Sequence, residues 1–183
     1  SIHVLGGRVH DHVGAELEGP LQERRGEDVV HHHLRAGGGG RLLQVTSMGS
    51  GGGMATVGFY GAGKAALDSV SDALVMEAEQ FGVKVTILQM GGYDTGLFTA
   101  GPTNTEPMPE YRDLRAEMES SWGDDAGPPP TTAAPVILEL VALPDPPRRL
   151  IVGSQSFDHV LEMDRARDRD YHKWEHLSRQ APG

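Results

Sequence analysis

The stretch Gly58–Leu67, GFYGAGKAAL, carries two overlapping patterns that imply different chemistry. Read from Gly58 it is G-x-x-x-x-G-K-A, one residue away from the phosphate-cradling loop G-x-x-x-x-G-K-[ST]. Read from Tyr60 it is Y-x-x-x-K, a phenol and an ammonium four residues apart. A phosphate cradle needs a strand that runs straight into the glycines and a hydroxyl after the lysine to hold Mg²⁺. Here the nearest strand candidate ends near Thr46 and Ala65 follows the lysine, so a phosphate cradle is not expected. The Tyr60 pattern asks for less. Residues i and i+4 share a helix face, so Lys64 approaches the Tyr60 phenol or a ligand held against it. A nearby cation favours phenolate and pulls a tyrosine pKa down from about 10, each unit corresponding to about 1.4 kcal/mol. Tyr60 would then be a usable proton donor and acceptor near neutral pH. Taken alone, Y-x-x-x-K occurs by chance on many helices, where a solvated Tyr and Lys explain it.

The elements that must position this pair are readable from periodicity. Leu42–Thr46, LLQVT, is a short apolar run bounded by glycines, as expected of a strand buried on both faces. A helical pattern runs from Tyr60 to about Gln80, with Ala62, Ala66, Val70, Ala73, Leu74 and Ala78 forming one small, apolar face, and stops near Gly82. Val83–Gln89 reads as a second buried strand that leads into a Gly-rich turn, MGGYDTGLF. Strand, helix and strand of these lengths make a right-handed crossover unit. Tyr111, Leu114, Met118 and Trp122 recur at steps of three and four, which predicts an amphipathic helix over Glu110–Trp122. Thr131 or Thr132 is placed to cap a helix carrying Val136, Ile137, Leu140 and Val141. Arg148–Gly153 is a third strand candidate, and a charged helix follows from about Ser156 to Ser178. The first forty residues hold six of the nine histidines and show no clear period apart from a possible helix ending at HLRAGGGG.

In this frame Tyr60 and Lys64 have partners. Ser47 ends the first strand, thirteen residues before Tyr60, and the turn after the second strand is closed by Thr95. Singly, each hydroxyl is an ordinary turn residue; their joint register is what distinguishes them. GRLLQVTSMGS, FYGAGKAALDSVSDAL and FGVKVTILQMGGYDT, spanning Gly39–Leu97, resemble the short-chain dehydrogenase/reductase family. That family carries a serine at the end of one strand, Y-x-x-x-K on the next helix and P-G-x-x-x-T after the strand beyond. The resemblance implies an α/β fold with a doubly wound parallel sheet, Rossmann-like, with helices on both faces. It also implies roles. Tyr60 exchanges a proton with the substrate oxygen while a nicotinamide, NAD or NADP, exchanges a hydride with the carbon. Ser47 hydrogen-bonds the same oxygen. Lys64 lowers the Tyr60 pKa and holds the nicotinamide ribose. Thr95, with backbone from Gly92 and Tyr93, holds the cofactor's carboxamide or phosphate side. The implied activity is interconversion of a secondary alcohol and a ketone, in a homodimer or homotetramer.

The departures from the family pattern are as specific. The pyrophosphate loop T-G-x-x-x-G-x-G, the N-N-A-G stretch and the proton-relay asparagine of the family are absent; the sole asparagine is Asn104, and Met90 stands where the turn proline is usual. An N-terminally truncated fold, or one with an atypical N-terminal region, is therefore expected. The alternative function is a non-redox protein on the same scaffold, either an acid–base lyase or cyclase using Ser47 and Tyr60 or a silent subunit that only dimerises. The small-residue face of the Tyr60 helix would suit pairing with a second copy, or equally packing on its own sheet.

A chain of 183 residues supports one domain: an atypical segment over 1–40, a strand–helix–strand core over 41–95, a substrate lid over 96–130 and a C-terminal helix–strand–helix over 131–183. The lid follows the last cofactor turn and carries Tyr111, Met118 and Trp122. A net charge of −10 argues against a nucleic-acid partner, which needs a basic face. Absent cysteines exclude a disulfide framework and fit a cytoplasmic setting, and no apolar run has the length of a membrane span. HKWEH, His172–His176, matches a zinc-peptidase pattern, but a charged terminal helix without an evident third ligand explains it. The His31–His33 run with His10 and His12 supports adventitious metal at most. No metal site is expected.

Overall fold

The computed structural model describes residues 2–5, 39–96, 106–122 and 127–182. Four parallel strands form one sheet in the order β1 (Ile2–Leu5), β2 (Gly40–Ser47), β3 (Val83–Met90) and β4 (Arg149–Val152). Helices α1 (Gly58–Glu79), α2 (Arg112–Trp122), α3 (Ala134–Ala142) and α4 (Ser154–Ser178) complete the described elements. Parallel pairing leaves both faces of a strand needing cover, and the apolar runs of β2 and β3 answer that need. Leu42, Leu43, Val83, Val85, Ile87 and Leu88 are all buried.

Strand alternation sorts these residues onto two faces. Leu42 lies opposite Val85 and Gln44 opposite Ile87, and their face packs under α1 through Leu74, Val75 and Ala78, with Phe81 at the margin. Leu43, Leu88 and Val152 point the other way and meet Ala133 and Leu140 of the α3 segment. Each large apolar side chain so enclosed contributes about 1.5–3 kcal/mol. α1 stops where expected: Gly82 has φ of 69° and donates its N–H to the Glu79 carbonyl, a left-handed C-terminal turn that a side chain would strain.

Three expectations are corrected. Ile2–Leu5 forms a strand in register with Arg41–Gln44, although four residues beside Ser1 and Gly6 offer no measurable period. The buried face of α1 is Asp68, Ser71, Leu74, Val75 and Ala78, while Ala62, Ala66 and Val70 face outward. Bulk decides this, because Leu74 and Val75 fill the space over the sheet. Of the two polar residues on that face, Ser71 donates to the Leu67 carbonyl at 2.7 Å, and Asp68 is ion-paired with Arg149 through Oδ2 while its Oδ1 has no hydrogen-bond partner among the described residues. Thr131 and Thr132 do not cap α3; they lie in a 3-10 turn, Pro130–Ala133, and Thr132 donates its hydroxyl to the Pro129 carbonyl. A proline in the first turn of α3 has no N–H to satisfy, which reduces the need for a cap. The helix that periodicity predicts over Glu110–Trp122 is present as α2, and none of its described side chains is buried.

The possible helix before Gly39, the histidines at positions 10, 12 and 31–33, and much of the expected lid lie outside the described residues. No helix among the described residues is long and apolar enough to cross a membrane.

Candidate active site

The carboxyl ends of parallel strands are where open α/β sheets bind ligands, because backbone groups and helix N-termini converge there. β2 and β3 both deliver their marked residues to that edge. Ser47 is the last residue of β2 and the N-cap of a 3-10 turn, Met48–Ser50. Its hydroxyl oxygen accepts the Gly49 N–H at 3.2 Å, so its own proton is left for another acceptor. The Ser50 hydroxyl donates to the Ser47 carbonyl at 2.5 Å and closes the turn from the other side. Ser47 is 8% exposed, at the floor of the edge rather than on its rim.

α1 begins ten residues later and leans its first turn on this structure. A Cβ built on Gly61 would stand 3.6 Å from the Gly49 carbonyl oxygen, ordinary contact distance. The strand-to-helix connection through Gly51–Gly53 removes any resemblance to a phosphate loop, since Gly58 opens the helix instead of ending a strand. Tyr60, 38% exposed, sits on that first turn, open to a ligand. Lys64, one turn on, is half-buried and donates from Nζ to the Val45 carbonyl at 3.2 Å. That contact anchors the ammonium two residues before Ser47, with donors to spare. Burial pushes the Lys64 pKa below its ordinary 10.5.

β3 supplies the other wall. Gly91 donates its N–H to the Val152 carbonyl at 2.9 Å, and a Cβ there would meet Ser156 Oγ at 2.1 Å. Gly92, by contrast, faces open space. Tyr93 is part-buried, with its hydroxyl 3.5 Å from the Val152 carbonyl oxygen, and the Asp94 N–H is donated to the Pro128 carbonyl. Thr95 is exposed beyond it. The structure thus gathers Ser47, Tyr60 and Lys64 around the end of β2, and Gly92, Tyr93 and Thr95 at the end of the adjacent β3. α4 crosses above, from Ser156 against Gly91 to Met163 and Arg167 beside Gly52.

Under α1 lies a polar layer that apolar periodicity does not reveal. Arg149 of β4 is ion-paired with Asp68 and reaches Asp72 at 2.8 Å. Burial opposes the Arg149 charge, but the Asp68 bond and charge, then those of Asp72, raise its pKa above the ordinary value. The Gln89 amide Nε2 lies 3.4 Å from both Asp68 Oδ2 and Ser50 Oγ. A polar residue at an inward position of each strand was the available signal. Among the described residues no group of three or more His, Asp or Glu side chains is arranged for a metal, and His172 of HKWEH faces Asp168 and Glu175 of its own helix.

Residues 27–105 match the family model described as short chain dehydrogenase. The chain is 30% identical over 141 residues to oxidoreductase BOA17 of Botryotinia fuckeliana, covering 75% of this chain and 51% of that protein. It therefore spans about half the length of that relative. A short-chain dehydrogenase of Streptomyces avermitilis superposes with a TM-score of 0.73 at 26% identity, over 86% of this chain and 58% of that one. A second, from Burkholderia cenocepacia and solved in complex with NADP, shares the fold at a TM-score of 0.51 and 15% identity, over 76% of this chain and 48% of that one. With the parallel sheet and its flanking helices, these matches show that the chain belongs to the short-chain dehydrogenase/reductase family.

Proposed function

We propose that the chain carries the substrate half of an NAD(P)-dependent oxidoreductase that interconverts a secondary alcohol and a ketone. The observation that carries this is the Lys64 ammonium held on the Val45 carbonyl, two residues before Ser47 and one turn after Tyr60. That placement puts a fixed cation, a hydroxyl with a free proton and an accessible phenol on one edge. Ser47 orients the substrate oxygen through its free proton, and Tyr60 gives a proton to that oxygen on reduction or takes one on oxidation. Lys64 offers its remaining donors to ribose hydroxyls. The residues fit a nicotinamide at this end: Gly92 leaves open space for it, and Thr95 presents an exposed hydroxyl. When bound, the nicotinamide supplies or accepts the hydride at the substrate carbon. The Burkholderia neighbour's NADP supports the cofactor class without choosing between NAD and NADP.

The second reading is a non-redox protein on the same scaffold, in which Ser47 and Tyr60 do acid–base work without a nicotinamide. Titration with NADH and NADPH separates the two. Binding at millimolar concentration raises the melting temperature by mass action and changes nicotinamide fluorescence. If both signals stay flat, the redox reading of this chain is lost. We further propose that the substrate is a small carbonyl compound or alcohol rather than a nucleic acid or a membrane, and that α1 pairs with a second copy in a homodimer or homotetramer.

A further inference from the structure

Gln89 is the last residue of β3 on the face toward α1, and it is 4% exposed. Its Nε2 carries two hydrogens and has two acceptors, Asp68 Oδ2 and Ser50 Oγ, each at 3.4 Å. Asp68 is held in turn by Arg149. Ser50, accepting from Gln89, directs its own proton to the Ser47 carbonyl. The chain of contacts runs from edge strand β4 through α1 and β3 into the turn that carries Ser47.

We propose that Gln89 is a positioning residue for Ser47: bridging Asp68 and Ser50, its amide fixes the hydroxyl that closes the Ser47 turn. A single hydroxyl on a three-residue turn rotates freely; one whose oxygen is already taken by Gln89 has its proton committed to Ser47. The turn then holds Gly49 N–H on Ser47 Oγ and keeps the Ser47 proton directed outward. The catalytic consequence rests on the Ser47 assignment above, whereas the positioning itself does not.

The test is amide hydrogen exchange at Gly49 in the full chain, comparing wild type with Gln89→Leu, Ser50→Ala and Ser50→Thr. Loss of the net free energy of one hydrogen bond accelerates Gly49 exchange roughly five- to tenfold in Gln89→Leu and Ser50→Ala. Ser50→Thr keeps the hydroxyl and retains the wild-type rate, and the Leu43 and Val45 amides of β2 stay unchanged in all four proteins. Should Gln89→Leu fail to fold, Ser50→Ala decides, since it removes only the last link from a half-buried site. Unchanged Gly49 exchange in Ser50→Ala overturns the proposal. Where turnover with NADH or NADPH is measurable, Ser50→Ala lowers kcat at constant KM and Ser50→Thr restores it. Faster Gly49 exchange in a protein that binds neither nucleotide supports the positioning role and rejects only the redox reading.

Discussion

Tyr60 and Lys64 share a helix turn but not an environment, and their substitutions separate chemistry from folding. Tyr60 is open to solvent, so Tyr60→Phe removes a hydroxyl without leaving a cavity. Its unfolding free energy is expected within about 0.5 kcal/mol of wild type, while turnover falls by about 10²–10⁴ as the proton donor is lost. Denaturant unfolding beside steady-state kinetics checks both halves. Lys64 is enclosed, and its folded pKa lies below the unfolded 10.5. Between those two values the unfolded chain binds more protons than the folded one, so this group's contribution to stability rises with pH across that window. Below the folded value both states are protonated and the contribution stays at its minimum. Lys64→Met removes the group, so unfolding curves recorded between neutrality and pH 10.5 are expected to show a smaller rise for the variant than for wild type. An identical rise in both proteins rules Lys64 out as its source. The Tyr60–Lys64 pair was legible in the sequence because its spacing is local. Gln89, Asp68 and Arg149 were not, since their contacts bridge separations of 21, 39 and 81 residues and each is an ordinary polar residue where it stands.

At the scale of elements, periods and apolar runs bounded by turn residues located β2, α1, β3, α2, α3, β4 and α4 to within a few residues. They failed where the pattern was short, at β1, and where small residues lay on the outer side of a helix, on α1. Neither method of counting apolar residues marks Gly91, whose importance lies in what stands next to it. Gly91→Ala drives a methyl into Ser156 Oγ at 2.1 Å, beside the bond that ties β3 to β4, and overpacking of this kind costs about 1–3 kcal/mol. Ser156→Gly in the same chain clears the space and is expected to recover most of that loss, whereas Gly92→Ala, with nothing within 4 Å, costs little. A double-mutant cycle by urea unfolding measures the coupling. The clamp between α1 and β4 predicts a different signature. Arg149→Met leaves Asp68 enclosed without its cation and is expected to cost about 1–3 kcal/mol, less than a fully buried pair because Arg149 keeps a third of its side chain in solvent. Asp68→Leu added to Arg149→Met removes the stranded charge and is expected to recover stability.

For the whole molecule, the outward strip on α1 is the feature that bears on assembly. Phe59 is 98% exposed and Val70 57%, and Ala62 and Ala66 lie between them at helical spacing. The 22 residues of α1 make a rod of about 33 Å, and alanines along its outer face let a second helix approach closely. A two-fold axis passing between Ala62 and Ala66 would set Phe59 of each copy near Val70 of the other, enclosing the most exposed aromatic on the described surface. One helix pair alone falls short of the roughly 1,600 Å² of a standard stable interface, so a concentration-dependent equilibrium is expected instead of a permanent dimer. Sedimentation velocity across a concentration series is therefore the measurement. Wild type is expected to shift from monomer to dimer, Phe59→Ser to weaken that shift, and Ala66→Glu to abolish it by placing like charges beside the axis. Because Ala66 and Phe59 are exposed and covered by nothing among the described residues, neither substitution is expected to lower the melting temperature of the monomer. A wild-type chain that stays monomeric throughout, or an Ala66→Glu variant that still associates, would remove α1 from the interface and leave its outer face as solvent-exposed surface.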